Sequence, residues 1–298
     1  MSACMAPQPQ RAREVMVKAT GFACAAMLAV GLIFAPAARA EQPLGFYVLN
    51  QRTIALAAQY WNPILTHVSK KSGVSLDLKL AKTAQEGNAM AEKGKYDLLY
   101  TNHFFTPERD RLGYKVIARP AGPGIRSEIV VPVDSPIKTL HDLEGKEVGF
   151  VSPDGFTGYW LPLDALLRAN VNVKVVFTGN QEASSTQLRI NKIAAAGVNS
   201  SVMARYARRE GFEYRALWTS EVYGDLCIMA NPHTPPEKVA AVKKALIEMA
   251  KDPEGRAILQ AGAELLKSNG ELGFVAADDH EYDNYRKFYR TTKVPFIK

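Results

Sequence analysis

The chain has 298 residues, of which 37 are Lys or Arg and 30 are Asp or Glu, and its formal net charge is +7. This mild excess is spread along the chain without a long basic run, which slightly favours a small anionic ligand and argues only weakly for nucleic-acid binding. Hydrophobic residues make up 47% of the chain, a share typical of a soluble globular protein rather than of a disordered one.

The first forty residues have the pattern of a secretory signal peptide. Basic Arg11, Arg13 and Lys18 precede an apolar run from residue 19 to residue 35, and Ala38-Arg39-Ala40 is a small-x-small cleavage site. The run is shorter than the roughly 20 residues of a membrane span, so an uncleaved anchor is the less favoured alternative. We therefore expect residues 1–40 to be removed and the rest of the chain to lie in the periplasm.

The sequence offers no recognisable catalytic set. Cys227 is the one cysteine outside the leader, in an apolar run that predicts a buried and unreactive thiol. The five histidines are scattered without metal-ligand spacing, and neither a nucleophile elbow nor a glycine-rich phosphate loop occurs. We therefore expect no metal, no cofactor and no enzyme activity, and the pattern favours a binding function.

Strands alternate with helices after the leader. The predicted elements are a strand over 44–49, a helix over 54–70 with Gly73 at its end, a strand over 74–80, a helix over 83–93, a strand over 96–100, a helix over 104–112 and a strand over 114–118. Such alternation predicts a parallel sheet with helices on both faces.

A Pro/Gly break at residues 120–124 separates this series from a second one. The second series comprises strands over 129–133, 147–151, 173–177, 198–202 and 225–229, a turn over 139–143, and helices over 157–169, 182–196, 203–209 and 235–250. The remaining residues are expected to be mostly helical. Two such series predict two α/β lobes.

Polar clusters follow five of the predicted strands. They lie at residues 50–53, 100–103, 154–159, 179–182 and 199–201. Ligands of open α/β sheets bind outside the carboxyl ends of the strands, and the small residues of 154–158 would expose helix N-terminal amides to an anion. Each cluster by itself is more often a helix cap than a ligand site, but five of them at equivalent positions favour a shared cleft.

Several segments match a known family. They are residues 60–65 (YWNPIL), 135–146 (SPIKTLHDLEGK), 157–162 (TGYWLP), 252–256 (DPEGR) and 273–279 (GFVAADD) followed by Tyr282. In these segments the chain resembles the phosphate-, phosphite- and phosphonate-binding receptors of ABC importers, which are two-lobed periplasmic solute-binding proteins of type II. The segment 135–146 is common to many type II receptors, whereas its combination with the closing GFVAADD and Tyr282 is more specific.

The resemblance implies an α/β, two-lobed periplasmic-binding-protein type II fold with two hinge-crossing strands, near residues 125–133 and 219–229. The first lobe would comprise residues 41–130 and 223–298, and the second lobe residues 131–222. It also implies that the ligand binds in the cleft, that the lobes close around it, and that the closed form docks on an ABC permease in the inner membrane. We expect a monomer that binds no nucleic acid.

The chain departs from the family where the ligand is held. The family typically reads Ser-Thr-Ser-Gly where this chain has residues 155–158 (GFTG), and Gln181 and Asn199 replace a His and an Asp. The family's first-lobe Tyr aligns near Phe105 or Thr106. Losing two hydroxyl donors would cost a phosphoryl ligand roughly 1.5–3 kcal/mol each. We expect a phosphonate-, phosphite- or phosphate-like anion as the ligand, and a different, partly apolar anion is the alternative.

We predict an anion site in which Thr157 and the amides around Gly158 hold the ligand. Arg52 and Arg126 would supply positive charge, although Arg126 can equally be a surface arginine beside the hinge. Phe156 and Tyr159 would form walls, and neutral side chains would donate hydrogen bonds. The candidate ligand-binding residues are Asn50, Gln51, Arg52, Thr101, Asn102, His103, Arg126, Phe156, Thr157, Gly158, Tyr159, Asn180, Gln181 and Asn199.

Two alternatives keep the same fold. One is a soluble receptor that presents its closed form to a sensor kinase, and the other is an enzyme, such as a lyase, built on the two lobes. The missing acid and base residues argue against the enzyme, and a neighbouring permease or kinase gene would separate the two receptor functions.

Overall fold

The computed structural model describes residues 42–49, 52–268, 270 and 272–295. The predicted signal peptide and two candidate site residues, Asn50 and Gln51, lie outside the described residues. Within the described part of the chain, no helix is both long and apolar enough to cross a membrane.

The strands form two sheets, one in each lobe. The strands are β1 (Leu44–Val48), β2 (Leu76–Lys79), β3 (Leu98–Thr101), β4 (Lys115–Pro120), β5 (Ser127–Pro132), β6 (Glu147–Phe150), β7 (Lys174–Phe177), β8 (Ala195–Asn199), β9 (Tyr214–Thr219), β10 (Cys227–Ala230) and β11 (Phe274–Ala276). Sheet 1 has the order β2-β1-β3-β10-β4-β11 and sheet 2 has the order β7-β6-β8-β5-β9.

The helices connect these strands and cover the sheets. They are α1 (Ile54–Ser72), α2 (Ala84–Glu92), α3 (Pro107–Asp110), α4 (Leu161–Arg168), α5 (Gln181–Arg189), α6 (Ser200–Glu210), α7 (Pro236–Glu248), α8 (Pro253–Leu265) and α9 (Asp283–Thr291). The N-cap of α1 is Thr53, and Gly73 ends that helix with a φ of 71°, a left-handed conformation that favours glycine. Helix α1 therefore begins directly after Thr53 and ends at Gly73, as the sequence predicts.

The chain passes between the sheets twice, at residues 121–126 (the first passage) and 220–226 (the second passage). Ile125 and Tyr223 pair the two passages through an antiparallel bridge. The strand after each passage, β5 or β10, joins its sheet antiparallel, whereas β1–β3 and β6–β8 pair in parallel. The predicted two-lobed α/β architecture is confirmed.

Two helices are shorter than predicted, one predicted strand is shifted, and two observed strands were not predicted. The helix predicted over 182–196 ends at Arg189, and the strand predicted over 198–202 lies instead at Ala195–Asn199, because the buried residues 195–198 pair as strand β8 between β6 and β5. The helix predicted over 104–112 shrinks to Pro107–Asp110, since the rings of Phe104 and Phe105 turn into the core. Strands β9 and β11 were not predicted, and sheet pairing rather than an apolar pattern makes them strands.

One hydrophobic cluster runs through both lobes. It joins Phe105 of the first lobe to Phe150 and Phe156 of the second and to the tyrosines of residues 282–289. Polar contacts accompany it: the Gln85 Nε2 atom lies 3.0 Å from the Asp154 Oδ1 atom, and Arg168 donates to the Thr291 carbonyl oxygen at 2.7 Å. The lobes are therefore packed against each other on the side where α9 lies.

Candidate functional site

A cavity of about 760 Å³ lies between the two sheets, beside both passages. Its lining comes from the start of α1, from residues 120–125 and 222–225, from the start of α6 and from the end of α8. Its polar side chains include Arg52, Tyr60, Tyr100, Arg119, Asn199, Ser201, Arg205, Asp225, Glu281 and Asn284. Both lobes and both passages thus contribute to one space.

The first lobe contributes Arg52, which directly precedes the N-cap of α1. The Thr53 Oγ1 atom accepts from the Leu56 amide at 3.3 Å, which fixes the point where the chain turns into the helix. Arg52 is exposed and forms no ion pair with another described residue. Tyr60 follows two turns later, and burial raises the pKa of its hydroxyl while Arg52 opposes that shift.

The second lobe contributes Asn199 and Arg205. The Asn199 Oδ1 atom caps α6 by accepting from the amides of Ser201 and Val202 at 3.0 and 3.2 Å. This cap leaves the Nδ2 group of Asn199 as the part of the side chain that can donate to a ligand. Arg205 lies on the same helix, is exposed and pairs with none of the described carboxylates.

The second passage contributes a carboxylate, Asp225. Burial raises the pKa of Asp225, and the Leu226 amide, Arg52 and Arg205 counteract part of that shift. The Leu226 amide donates to the Asp225 Oδ1 atom at 2.7 Å. The lining holds three guanidinium groups, those of Arg52, Arg119 and Arg205, and two carboxylates, those of Asp225 and Glu281, so its balance of charge is positive.

A third guanidinium, that of Arg119, is engaged with the protein. It pairs with Glu281 at 2.9 Å and donates to the carbonyl oxygens of Pro120 and Gly122. Arg119 therefore braces the first passage against the C-terminal region.

The loop of residues 155–158 packs into the core and does not line this cavity. The ring of Phe156 stacks on that of Tyr285 with centroids 4.1 Å apart, and it meets Tyr223 edge-on at 4.9 Å. The Thr157 carbonyl oxygen accepts from the Ser127 hydroxyl at 2.6 Å, and the Gly158 carbonyl oxygen accepts from the Val151 amide. A π-helical turn, Phe156–Trp160, leads from this loop into α4.

Tyr159, Asn180 and Gln181 also serve the second lobe's own structure. Tyr159 packs edge-on against Phe150 and Phe177, inside that lobe. Asn180 is the N-cap of α5, and Gln181 accepts from the Asn199 amide at 3.1 Å. Gln181 thus orients the strand end that bears Asn199.

At the end of β3, Thr101 and the following Asn102 are buried, and His103 is partly buried. The Thr101 Oγ1 atom accepts from the His103 amide, and the Asn102 Nδ2 group donates to the Tyr285 hydroxyl at 3.2 Å. Burial, with a smaller effect of nearby Arg109, lowers the pKa of His103 to about 3. The neutral ring lies 3.1 Å from the Asn88 amide group, which donates to its Nδ1 atom.

Arg126 braces the two passages from outside the cavity. It donates to the Ser220 carbonyl oxygen at 2.7 Å, and its neighbour Ser127 donates its amide to the Ser220 hydroxyl.

Among the described candidates, the cavity brings together Arg52 and Asn199, while the others cap helices, brace the passages or pack in the core. Tyr60, Tyr100, Arg205 and Asp225 were not predicted as site residues. Their only sequence signal is proximity to a strand end or a helix start.

Comparisons with known proteins agree with this architecture. Residues 46–282 match the family model described as the periplasmic substrate-binding protein of a phosphonate ABC transporter. No curated protein matches the sequence significantly.

Solved structures of the same fold share little sequence with the chain. A binding protein component of an ABC phosphonate transporter from Pseudomonas aeruginosa is 18% identical, with a TM-score of 0.66 over 83% of this chain and 86% of that one. PhnD1 from Prochlorococcus marinus, in complex with methylphosphonate, is 15% identical with a TM-score of 0.67 over 83% and 97%. XAC2383 from Xanthomonas citri, bound to ATP, is 15% identical with a TM-score of 0.67 over 84% and 96%.

These structures show the fold, and the family model shows the relationship over most of the chain. The resemblance noted in the sequence is thereby confirmed. The chain belongs to the family of periplasmic substrate-binding proteins of phosphonate ABC transporters.

Proposed function

We propose that this protein captures a small phosphonate-, phosphite- or phosphate-like anion in the periplasm and delivers it to an ABC permease of the inner membrane by hinge closure. The observation that carries the proposal is the cavity between the sheets, which both lobes and both passages line. A ligand that contacts both lobes stabilises their closed arrangement by its differential affinity for that state. The permease would then meet a closed receptor.

In this proposal Arg52 and Arg205 hold the anionic group from opposite lobes. Guanidinium groups bind phosphonate and carboxylate oxygens through charge-assisted and often bidentate hydrogen bonds. Neither arginine is engaged with a described carboxylate, so each is available for a ligand. The Nδ2 group of Asn199 would add a neutral donor from the second lobe.

The ligand class extends from the family to this chain as a proposal. PhnD1 of Prochlorococcus marinus holds methylphosphonate, and the Xanthomonas citri protein holds ATP. The cavity here has the volume of a typical small-molecule site and includes apolar Val222, Leu259 and Phe274 in its wall. These features support a phosphoryl-type anion that carries an apolar portion.

The remaining assignments are proposals too. We propose a first lobe of residues 41–130 with 223–298, a second lobe of residues 131–222, export through the signal peptide of residues 1–40, and action as a monomer without catalysis. The candidate set around Thr157 stays a prediction. The ligand affinity of Thr157→Ala would therefore distinguish an anion site at residues 155–158 from one in the cavity between the sheets.

The test is isothermal titration of the purified protein with phosphate, phosphite, methylphosphonate, aminoalkylphosphonates, ATP, carboxylates and sulfonates. Arg52→Ala and Arg205→Ala should each weaken binding of the best ligand by about 10- to 100-fold, because a hydrogen bond to a charged group contributes about 1.5–3 kcal/mol. Arg208→Ala is the matched control, since Arg208 is exposed on the same helix but does not line the cavity.

Unchanged affinity in both arginine variants would overturn the cavity assignment. A loss confined to Thr157→Ala would restore the loop as the anion site. Binding of carboxylates or sulfonates with no phosphoryl compound would keep the receptor function and replace the ligand class.

A further inference from the structure

A buried histidine outside the ligand cavity has no hydrogen-bond partner in the described part of the chain. His67 lies on α1 and is 2% exposed, and neither of its ring nitrogens is hydrogen-bonded to a described residue. Its Nε2 atom lies 3.9 Å from the Asp252 Oδ1 atom, and its Nδ1 atom lies 3.8 Å from the Glu254 Oε2 atom. Both neighbours precede or open α8, so two helix segments converge on one imidazole.

A neutral imidazole is poorly matched to these surroundings. It has one N–H donor and one lone pair, whereas both facing groups are carboxylates that only accept. Whichever nitrogen carries the proton, the other directs its lone pair toward a carboxylate oxygen, and burial makes this arrangement costly. A metal ion bound to one ring nitrogen would use that lone pair, and the other nitrogen would then carry the proton toward the carboxylate that faces it.

We propose that His67, Asp252 and Glu254 form a binding site for a divalent transition-metal ion of the Zn²⁺ class. One ligand atom from each residue can be chosen such that all three lie within 4.8 Å of one another, and no other such group was found among the described residues. Zinc bonds of about 2.0–2.2 Å to nitrogen and oxygen would require the three side chains to move closer together than they lie in this structure. An imidazole ligand favours Zn²⁺ over Ca²⁺ and Mg²⁺, which prefer oxygen alone.

The surroundings of the three residues provide access and support. A surface groove of about 440 Å³, lined in part by Asn62, Thr66 and Ile258, opens onto His67 and Glu254 and leaves room for a water molecule as a fourth ligand. The Gly255 amide donates to the Asp252 Oδ1 atom at 3.0 Å and orients that carboxylate. A Cβ atom at residue 255 would lie 3.0 Å from the His67 Nε2 atom, so glycine permits the close approach.

Two lysines compete for the same carboxylates. Lys70 pairs with Glu254 at 3.0 Å, and Lys71 pairs with Asp252 at 2.5 Å. Both ammonium groups are exposed, so a metal ion can displace them into water. Removal of the Lys70 ammonium group should therefore raise the affinity for the metal ion. If Lys70 and Glu254 formed only a surface ion pair and no metal site existed, no such change would occur.

The site would clamp two helices that also line the ligand cavity. Tyr60 of α1 and Leu259 and Ala263 of α8 lie in the cavity wall, whereas none of the three proposed ligands does. A bound ion would thus stabilise the first lobe without touching the solute.

The test uses protein expressed from the complete chain without a histidine tag and stripped with EDTA. Titration with ZnCl₂ should show one zinc ion per chain and a higher Tm in its presence. His67→Gln and Glu254→Gln should each weaken zinc binding by at least about tenfold, since even loss of a supporting hydrogen bond costs a metal site about 10- to 100-fold. Lys70→Gln should strengthen it.

His280→Gln is the matched control, because this histidine is 90% exposed and remote from the three residues in sequence. Absence of zinc binding by the unmodified protein would overturn the proposal. So would zinc binding that survives both His67→Gln and Glu254→Gln, or that is lost in His280→Gln. If His67→Gln does not fold, Glu254→Gln decides, because its side chain is half-exposed.

Discussion

Phe156 offers a sharp test of how the lobes are held together. Its side chain is 3% exposed, and its ring meets those of Tyr285, Tyr223, Phe288 and Tyr289 with centroid distances from 4.1 to 5.7 Å. Truncation of a buried Phe to Ala costs about 3–5 kcal/mol through lost transfer free energy and the cavity that remains. Because four rings surround this one, we expect Phe156→Ala to lie in the upper part of that range.

The assay is urea denaturation followed by circular dichroism. The unfolding midpoints of the variant and the unmodified protein are compared, and an unchanged m value shows that the difference is one of stability. The matched control is Phe177→Ala, whose side chain is 44% exposed on strand β7 and whose loss should cost about 1 kcal/mol or less. In thermal denaturation, the Tm of Phe156→Ala should fall further than that of Phe177→Ala, by about 2–4 °C per kcal/mol of lost stability for a protein of this size.

Two results would refute this reasoning. A change below about 1 kcal/mol in Phe156→Ala would mean that the ring does not belong to the core. A large loss of ligand affinity with unchanged stability would mean that Phe156 is a wall of the binding cleft, as the sequence predicts.

Three further predictions concern local features. Thr53→Ala should lower the free energy of unfolding by about 0.5–2 kcal/mol in urea denaturation, because it removes the N-cap of α1, and Thr53→Ser should restore it. Asp164→Ala should speed hydrogen exchange at the Lys293 amide, which donates to the buried Asp164 carboxylate at 2.7 Å, and equal exchange rates would contradict the contact. Burial and Arg109 lower the pKa of His103 from 6.5 to about 3, so the unfolded chain binds the extra proton and stability should fall as the pH drops from 6.5 to 3. His103→Gln should flatten that part of the profile of Tm against pH, and an unchanged slope would count against a neutral buried ring.

The local elements were predictable because their signals are local. The alternation of Leu76–Lys79 and the capping residues Thr53 and Gly73 act through neighbours one to four residues away. Strand β8 was misplaced because Ala195–Asn199 has no periodic pattern and becomes a strand by pairing with β5 and β6. Strand β11, Phe274–Ala276, is likewise defined by its pairing with β4.

The sequence by itself determined the two βα series, most helix and strand positions and the family, since each depends on short-range patterns or on matched segments. Only the tertiary structure decided which polar residues meet. Arg52, Arg205 and Asp225 lie far apart in sequence and come together because two sheets and two passages enclose one cavity. The tertiary structure also decided that Phe156 packs against Tyr285, because burial of an aromatic ring in an apolar cluster stabilises the fold more than its exposure in a hydrated cleft.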